Sequence, residues 1–234
     1  MFQFKQFTVD QSGCAMKINT DGVLLGAITE AENPRTILDI GTGTGVIALM
    51  LAQRFNTAKI DAVEIDEDAA KTARRNFEGS PFADRLSVYP LSFEVYFDQF
   101  PESKYDMIVS NPPFYIASLK SPGAKKTLAK HTDIDFFGKL IKTVSKHLTD
   151  SGCFWLILPE NIAEMVVTLA AGYLAYPKMI INVRSFLYSQ PHRVILCFGF
   201  EEVSAQIANF TIYEAVGIYS EEYKKLLQPY FLAF

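Results

Sequence analysis

The chain has 234 residues, 49% of them hydrophobic and 21% charged, which is enough for one α/β domain with a sizeable core. A net charge of −4 argues against a protein that binds polyanions over its whole surface. Three scattered cysteines, Cys14, Cys153 and Cys197, argue against a disulfide framework and a metal site, and no apolar run approaches the roughly 20 residues that span a bilayer. We therefore expect a cytoplasmic protein with no metal and no membrane segment.

From residue 35 onward, strand and helix patterns alternate. Short apolar runs predict strands at 36–40, 59–65, 86–90, 105–111 and 152–159. Helical spacing predicts helices at 46–55, 66–77, 133–148 and 161–173. Residues 179–188 and 193–200 are β-rich, and the short turn between them predicts an antiparallel hairpin. A further edge strand at 209–214 and a terminal helix at 220–227 follow.

A glycine-rich turn joins the first strand of this series to its helix. The run from Leu38 to Gly45 reads LDIGTGTG, with glycines at 41, 43 and 45. A dinucleotide fingerprint would need glycine where Val46 stands, and the Gly-Lys pair of a P-loop is absent. Glycines let the backbone approach a ligand closely, and Asp39 at the strand end can accept a hydrogen bond from a ligand ammonium group. The turn resembles the first motif of class I S-adenosylmethionine methyltransferases; the alternative is a purely structural turn.

Two later segments extend this predicted cofactor site. Glu64 and Ile65 end the second strand, about 20 residues after the glycines, where an acid can bind ribose hydroxyls. Asp66 fits the N-cap of the next helix. In many relatives an Asp beside the position of Phe93 holds the adenine amino group; Ser92 stands there instead, so we expect Phe93 to provide an apolar face.

The tetrad Asn111-Pro112-Pro113-Phe114 directly follows the fourth strand. The Asn111 side-chain oxygen and the Pro112 carbonyl can accept the N–H groups of a flat amine, and Phe114 can stack on its plane. Taken alone, the tetrad fits a rigid turn equally well. It resembles the (Asp/Asn)-Pro-Pro-(Tyr/Phe/Trp) signature of amino methyltransferases. Adenine-N6, guanine-N2 and glutamine-amide enzymes share that signature, so the tetrad does not separate them.

The N-terminal residues indicate a narrower family than the tetrad does. The segments FKQFTV (4–9), CAMK (14–17) and TDGVLLG (20–26) resemble the opening of the bacterial tRNA1(Val) (adenine-N6)-methyltransferase family, and the resemblance extends over nearly the whole chain. It implies an α/β, Rossmann-like class I methyltransferase with a seven-stranded, mostly parallel sheet in the order 3-2-1-4-5-7-6 and helices on both faces. Residues 1–34 would form a lid on a domain of residues 35–234.

The same resemblance implies roles for polar residues outside the tetrad. Thr20 and Asp21 would line the methionine end of the cofactor, although the segment Thr20-Asp21-Gly22 can also cap the following helix. Residues 119–147 hold seven lysines and two aspartates, a local balance of +5 that can seat a phosphate backbone or form a solvated helix face. The candidate RNA contacts are Lys17, Lys120, Lys125, Lys126, Lys130, His131 and Arg193.

We therefore predict a monomeric enzyme that uses S-adenosylmethionine to methylate N6 of an anticodon-loop adenine, adenine 37, in tRNA1(Val). Three alternatives stay open at this stage. They are a guanine-N2 rRNA methyltransferase, a protein-glutamine N5-methyltransferase, and a catalytically silent RNA-binding module.

Overall fold

A mostly parallel sheet runs through the protein. The structure is a computed structural model that describes residues 1–14, 16–112, 126–173 and 175–234. In the helix that begins at Lys126, side chains are described from residue 134 onward. The strands are β1 (Phe2–Gln3), β2 (Thr8–Val9), β3 (Thr36–Ile40), β4 (Lys59–Val63), β5 (Leu86–Tyr89), β6 (Tyr105–Ser110), β7 (Leu148–Leu158), β8 (Tyr176–Phe186), β9 (Arg193–Gly199), β10 (Gln206–Ala215) and β11 (Ile218–Tyr219). The helices are α1 (Thr20–Ile28), α2 (Val46–Arg54), α3 (Glu67–Glu78), α4 (Phe93–Gln99), α5 (Lys126–His147), α6 (Glu160–Ala171) and α7 (Glu221–Leu227).

The order of the strands confirms the predicted fold class and corrects its strand count. Within the described residues the main sheet has the order β11-β10-β8-β9-β7-β6-β3-β4-β5. Seven of these strands, β5-β4-β3-β6-β7-β9-β8, reproduce the expected order 3-2-1-4-5-7-6. The prediction of seven strands was wrong because β10 pairs in parallel with β8 and the two-residue β11 adds a ninth strand at that edge.

The central strands are buried on both faces, which explains why they appear in the sequence as continuous apolar runs. Alternate residues of β3 point to opposite faces: Ile37 belongs to one hydrophobic cluster, and Leu38 and Ile40 belong to the other. Cys153 and Cys197 are buried in the first cluster, as small hydrophobic residues would be.

The N-terminal residues pack onto this same core. The rings of Phe4 and Phe7 stack 4.4 Å apart, and Phe4 also contacts Phe231 near the C-terminus. Both phenylalanines are buried in the cluster that contains Ile37. The first strands therefore fasten the N-terminal segment to the domain, while its function as a lid stays a prediction.

The starts of two helices differ in how well the sequence indicated them. Asp66 caps α3 as predicted, accepting from the Ala69 backbone N–H at 2.8 Å. The segment Thr20-Asp21-Gly22, for which capping was the alternative to a cofactor role, forms the first turn of α1 itself. The cap is Asn19, whose side chain accepts from the Gly22 N–H at 2.9 Å. None of the helices in the described ranges combines the length and apolar character that a bilayer-spanning segment needs.

The three glycines of the turn have two different structural roles. All three have positive φ, a conformation that favours glycine. A methyl group built on Gly45 would lie only 2.5 Å from the Phe77 ring, whereas one on Gly41 or Gly43 would meet nothing within 4 Å. Gly45 is thus required for packing α2 against α3, and Gly41 and Gly43 leave an open surface.

This difference predicts two unequal losses of stability. Gly41→Ala should lower the free energy of unfolding by about 1–2 kcal/mol, the cost of a left-handed conformation. Gly45→Ala should lower it by about 2–5 kcal/mol, since the contact with Phe77 adds an overpacking cost. Denaturant unfolding of both variants measures this, and equal losses would contradict the assignment of Gly45 to packing.

Candidate active site

A cleft opens at the carboxyl ends of β3, β4 and β6. Its cavity has a volume of about 440 Å³, within the roughly 300–1,000 Å³ typical of small-molecule sites. The strand order reverses between β3 and β6, and this crevice is where open α/β sheets bind ligands. A larger opening of about 780 Å³ lies at the opposite edge, near Arg35 and Lys178. It lies far from the glycine turn, so volume alone does not identify the site.

The glycine turn forms one wall of the cavity. The backbone N–H groups of Gly41 and Thr42 donate to the Val63 carbonyl at 2.8 and 3.2 Å, which attaches the turn to the end of β4. Gly41 and Gly43 line the cavity, with no side chain between their backbone and the open space. A ligand can therefore approach this backbone closely.

Glu64 joins the end of β4 to that turn. Its carboxylate accepts from the Gly43 N–H and the Asp66 N–H, each at 2.9 Å. The residue is half-buried and lines the cavity, so its oxygens stand at the cavity wall. A carboxylate held in this way is oriented before any ligand binds.

Asp39 lies beneath the turn and is completely buried. The Thr42 hydroxyl donates to its carboxylate at 2.6 Å. Burial raises the pKa of Asp39 to about 7, while the bond from Thr42 acts in the opposite direction. Asp39 is not part of the cavity wall, so a direct contact with a ligand ammonium group stays a prediction.

The remaining wall is acidic at some positions and apolar at others. Glu64, Asp66 and Glu94 line the cavity, and no Lys, Arg or His is among the described residues of its wall. Ile65 is 74% exposed there, and the ring of Phe136 from α5 meets the Phe93 ring edge-on at 6.0 Å. Such a wall suits a ligand with a positive charge and a flat ring, and it disfavours a pyrophosphate.

Ser92 has a structural role that the sequence did not indicate. It caps α4, a helix absent from the predicted elements, by accepting from the Val95 N–H at 3.3 Å. Phe93 is the first residue of that helix and lines the cavity as predicted. An aspartate here would cap the helix equally well, so capping does not require serine.

Asn111 and Pro112 lie on the wall opposite Glu64, directly after β6. The Ser110 hydroxyl donates to the Ile40 carbonyl at 2.8 Å, which ties the end of β6 to the end of β3. The Asn111 amide nitrogen lies 3.7 Å from the point where a side chain on Gly22 would begin. The Asn111 amide therefore lies against the start of α1. Pro113 and Phe114 lie outside the described residues.

Thr20 and Asp21 also lie outside the cavity wall. Asp21 forms an ion pair with Arg193 at 2.7 Å, and both side chains are largely buried. This pair joins the first turn of α1 to the start of β9, close to Asn111 in the fold. The predicted cofactor contacts of Thr20 and Asp21 and the predicted phosphate contact of Arg193 stay predictions.

The other basic candidates are only partly described. Lys17 is exposed near the mouth of the cavity, between Met16, which lines it, and α1. Lys120 and Lys125 lie outside the described residues. For three further candidates the structure gives the helical backbone of α5 alone: Lys126, Lys130 and His131.

Several residues of the cavity wall were not among the predicted site residues: Cys14, Met16, Ala69, Leu91, Glu94, Ser110 and Phe136. Most belong to apolar patterns that predict burial without saying which side chain reaches a cleft. Cys14 and Met16 belong to the segment CAMK, so the family resemblance was the one signal that could have found them. Among the described residues, no group of three or more His, Cys, Asp or Glu could hold a metal ion.

The sheet order and the cleft at its switch point define a class I methyltransferase fold. A predicted O-methyltransferase from Agrobacterium tumefaciens superimposes with a TM-score of 0.70 over 90% of this chain and 96% of its own, at 15% sequence identity. A ribosomal protein L11 methylase from Lactobacillus delbrueckii gives a TM-score of 0.54 over 76% of each chain, also at 15% identity. These two likenesses establish the fold.

The sequence comparisons establish the family. The family model of the methyltransferase small domain matches residues 17–172. A tRNA1(Val) (adenine(37)-N6)-methyltransferase of Pedobacter heparinus is 48% identical over 100% of this chain and 98% of its own, and one of Bacteroides thetaiotaomicron is 43% identical over 99% and 97%. The chain belongs to the tRNA1(Val) (adenine(37)-N6)-methyltransferase family.

The raised pKa of Asp39 predicts a specific pH dependence of stability. The folded protein keeps the Asp39 proton up to about pH 7, whereas the unfolded chain releases it near the ordinary aspartate pKa of 3.8. The free energy of unfolding should therefore fall as the pH rises between these two values. Asp39→Asn removes the titrating carboxyl group, so relative to the wild type it should gain up to about 4 kcal/mol of stability between pH 4 and pH 8. Denaturant unfolding across this range measures the difference, and parallel pH profiles would contradict the burial of the carboxyl group.

Proposed function

We propose that this protein uses S-adenosylmethionine to methylate N6 of adenine 37 in tRNA1(Val). One observation carries the proposal: Asn111 and Pro112 face the cavity whose other walls are the glycine turn and Glu64. The names of the relatives supply the acceptor, since those proteins are tRNA1(Val) (adenine(37)-N6)-methyltransferases. Because the substrate is tRNA, we also propose that the enzyme acts in the cytoplasm. The monomeric state stays a prediction from the sequence.

The residues of the cavity fit S-adenosylmethionine. When bound, this cofactor supplies an electrophilic methyl group on a positively charged sulfur. Gly41 and Gly43 offer open backbone, and the Glu64 oxygens can accept hydrogen bonds from ribose hydroxyls. Ile65 and Phe93 provide apolar surface for the adenine ring. The acidic wall favours the cofactor's positive charge.

We propose that Asn111 and Pro112 orient the acceptor amine. The nitrogen lone pair of an exocyclic amine is delocalised into the base, which makes the nitrogen a weak nucleophile. The Asn111 side-chain oxygen and the Pro112 carbonyl accept from its two N–H groups and hold the nitrogen toward the cofactor cleft. Neither group is a strong base, so the rate gain comes from position and electrostatics.

The target base must leave its stack to reach the cavity. Sequence-specific recognition of RNA usually involves unpaired loop bases that stack on aromatic side chains, and an anticodon loop supplies such bases. We propose Phe114 as the ring that stacks on the adenine. We also propose that residues 14–22 cover the cofactor; Cys14 and Met16 on the cavity wall support this.

Nucleoside mass spectrometry of tRNA treated with the enzyme and labelled S-adenosylmethionine tests the proposal directly. The expected product is N6-methyladenosine at one position of tRNA1(Val). N2-methylguanosine as the product would identify the guanine enzyme instead. Label in protein glutamine would identify the amide enzyme, and no transfer with intact cofactor binding would indicate a silent binding module.

Two substitutions should separate cofactor binding from chemistry. Asn111→Ala should reduce turnover about 100-fold or more while cofactor affinity changes less than about threefold. Asn111→Asp keeps the acceptor oxygen and should therefore retain much more activity than Asn111→Ala. Glu64→Gln should weaken cofactor binding about 10- to 100-fold, because it removes a charged acceptor. Calorimetry and steady-state kinetics measure both effects; normal turnover by Asn111→Ala would refute the role of Asn111.

The lysines of residues 119–147 predict how the affinity for tRNA depends on salt concentration. Reversing two charges, with Lys125→Glu and Lys126→Glu, should weaken tRNA binding and flatten the dependence of affinity on salt concentration. The same reversal at Lys59, at the amino end of β4, is a matched control that should have little effect. Filter binding at several salt concentrations measures the slopes, and an unchanged slope in the first variant would show that these lysines do not contact phosphate.

A further inference from the structure

The hairpin between β8 and β9 presents an exposed aromatic ring at the edge of the sheet that holds Asn111. Strands β7 and β8 both run antiparallel to β9, and β7 runs parallel to β6, so β8 ends at the same edge as β6. Tyr188 follows β8 there and is 83% exposed, and its neighbour Leu187 is 72% exposed. Strands β9 and β7 lie between β8 and β6, so this turn is three strand spacings, about 14 Å, from the end of β6. Two adjacent apolar side chains this exposed, at the end of the sheet that carries the cavity, suit a binding surface.

The Tyr188 ring lies parallel to a neighbouring aromatic ring. It stacks on the Phe186 ring at 5.3 Å with an interplanar angle of 4°, and Phe186 in turn contacts Tyr213 at 5.7 Å. The turn is closed by the Ser189 N–H, which donates to the Phe186 carbonyl at 2.9 Å, and by Arg184, which donates to the Leu187 carbonyl at 3.0 Å. The Tyr188 ring is offset against Phe186 and largely exposed, so it can receive a second flat ring.

The charge of this hairpin fits a polyanion. Residues 176–200 contain Lys178, Arg184 and Arg193 and no Asp or Glu, although the whole chain has a net charge of −4. Lys178 pairs with Glu201 at the opposite edge and Arg193 pairs with Asp21, so of these three cations Arg184 is the one that can serve a ligand at the exposed turn. The Arg184 guanidinium donates from one terminal nitrogen to the Leu187 carbonyl at an exposed position. A guanidinium carries several N–H donors, so this group keeps donor capacity for a phosphate.

We propose that Tyr188 is a stacking platform for a loop nucleotide that flanks the target adenine, and that Arg184 contacts an adjacent phosphate. An exposed ring beside a cationic side chain is a combination by which proteins bind unpaired nucleotides. The inference rests on the proposed function for the identity of the RNA. It adds a contact outside the catalytic cavity that positions the loop before methyl transfer.

Binding of a fluorescent anticodon stem–loop RNA tests the ring. Base stacking is worth about 1–3 kcal/mol, so Tyr188→Ala should raise the Kd about 5- to 30-fold, toward the lower part of that range because one ring face is available. Tyr188→Phe, which keeps the ring, should stay within twofold of the wild type. Tyr173→Ala is the matched control, since Tyr173 is 38% exposed at the end of α6, on the opposite edge, and its loss should leave the Kd unchanged.

Two further measurements make these results decisive. Cofactor affinity and melting temperature should be unchanged in Tyr188→Ala, because the side chain contacts neither the cavity nor the core. Wild-type affinity of Tyr188→Ala for the RNA would overturn the inference, as would an equal loss in Tyr188→Phe, which would indicate a hydroxyl contact. A change in sedimentation without a change in RNA binding would also overturn it, because the surface would then join copies of this chain.

The salt dependence tests Arg184. Arg184→Gln should reduce the slope of log Kd against log salt by about 0.7, the value for one phosphate contact on a single strand, and Arg184→Lys should keep the wild-type slope. An unchanged slope in Arg184→Gln would overturn the phosphate contact. If the wild type binds the stem–loop and methylates tRNA while Tyr188→Ala behaves normally, this inference alone fails. If the wild type neither binds nor methylates RNA, the proposed function fails with it.

Discussion

The two hydrogen bonds that Glu64 accepts, from the backbone of Gly43 and of Asp66, hold the cofactor side of the site together. They connect the end of β4 to the glycine turn after β3 and to the start of α3. A second connection, from the Ser110 hydroxyl to the Ile40 carbonyl, does the same for β6. Together they fix where three parallel strands end. Strand pairing therefore positions the walls of the cavity before a ligand binds.

Within the glycine turn, the residues that stabilise the fold differ from the residues that face the cavity. Gly45 and Phe77 pack α2 against α3, and Asp39 supports the turn from a buried position, whereas Gly41 and Gly43 face open space. The burial of a carboxyl group under the turn has a cost, seen in the raised pKa of Asp39. A site that places a cationic ligand above this carboxyl would reduce the cost, and the acidic wall of the cavity is consistent with such a ligand.

Much of this arrangement was predictable because it depends on local patterns. Strand β3 and the Asp66 cap follow directly from apolar periodicity and capping chemistry, and Glu64 follows from its spacing to the glycines. The side-chain environment of Asp39 and the approach of Phe136 to the cavity depend on how helices pack on the sheet, which spacing does not encode. The sequence does not single out Asn19 as the cap of α1, because both Asn19 and Thr20 can cap and only the backbone conformation chooses between them. The ninth strand, β11, has two residues, too few for any periodicity.

The central claim is that one cavity brings the methyl donor to Asn111. A crystal structure of the enzyme with S-adenosylhomocysteine tests it most directly. The ligand is expected at the carboxyl ends of β3 and β4, with its ribose hydroxyls on Glu64 and its sulfur directed toward the Asn111 side-chain oxygen. A ligand bound elsewhere, or one whose sulfur points away from Asn111, would contradict the account.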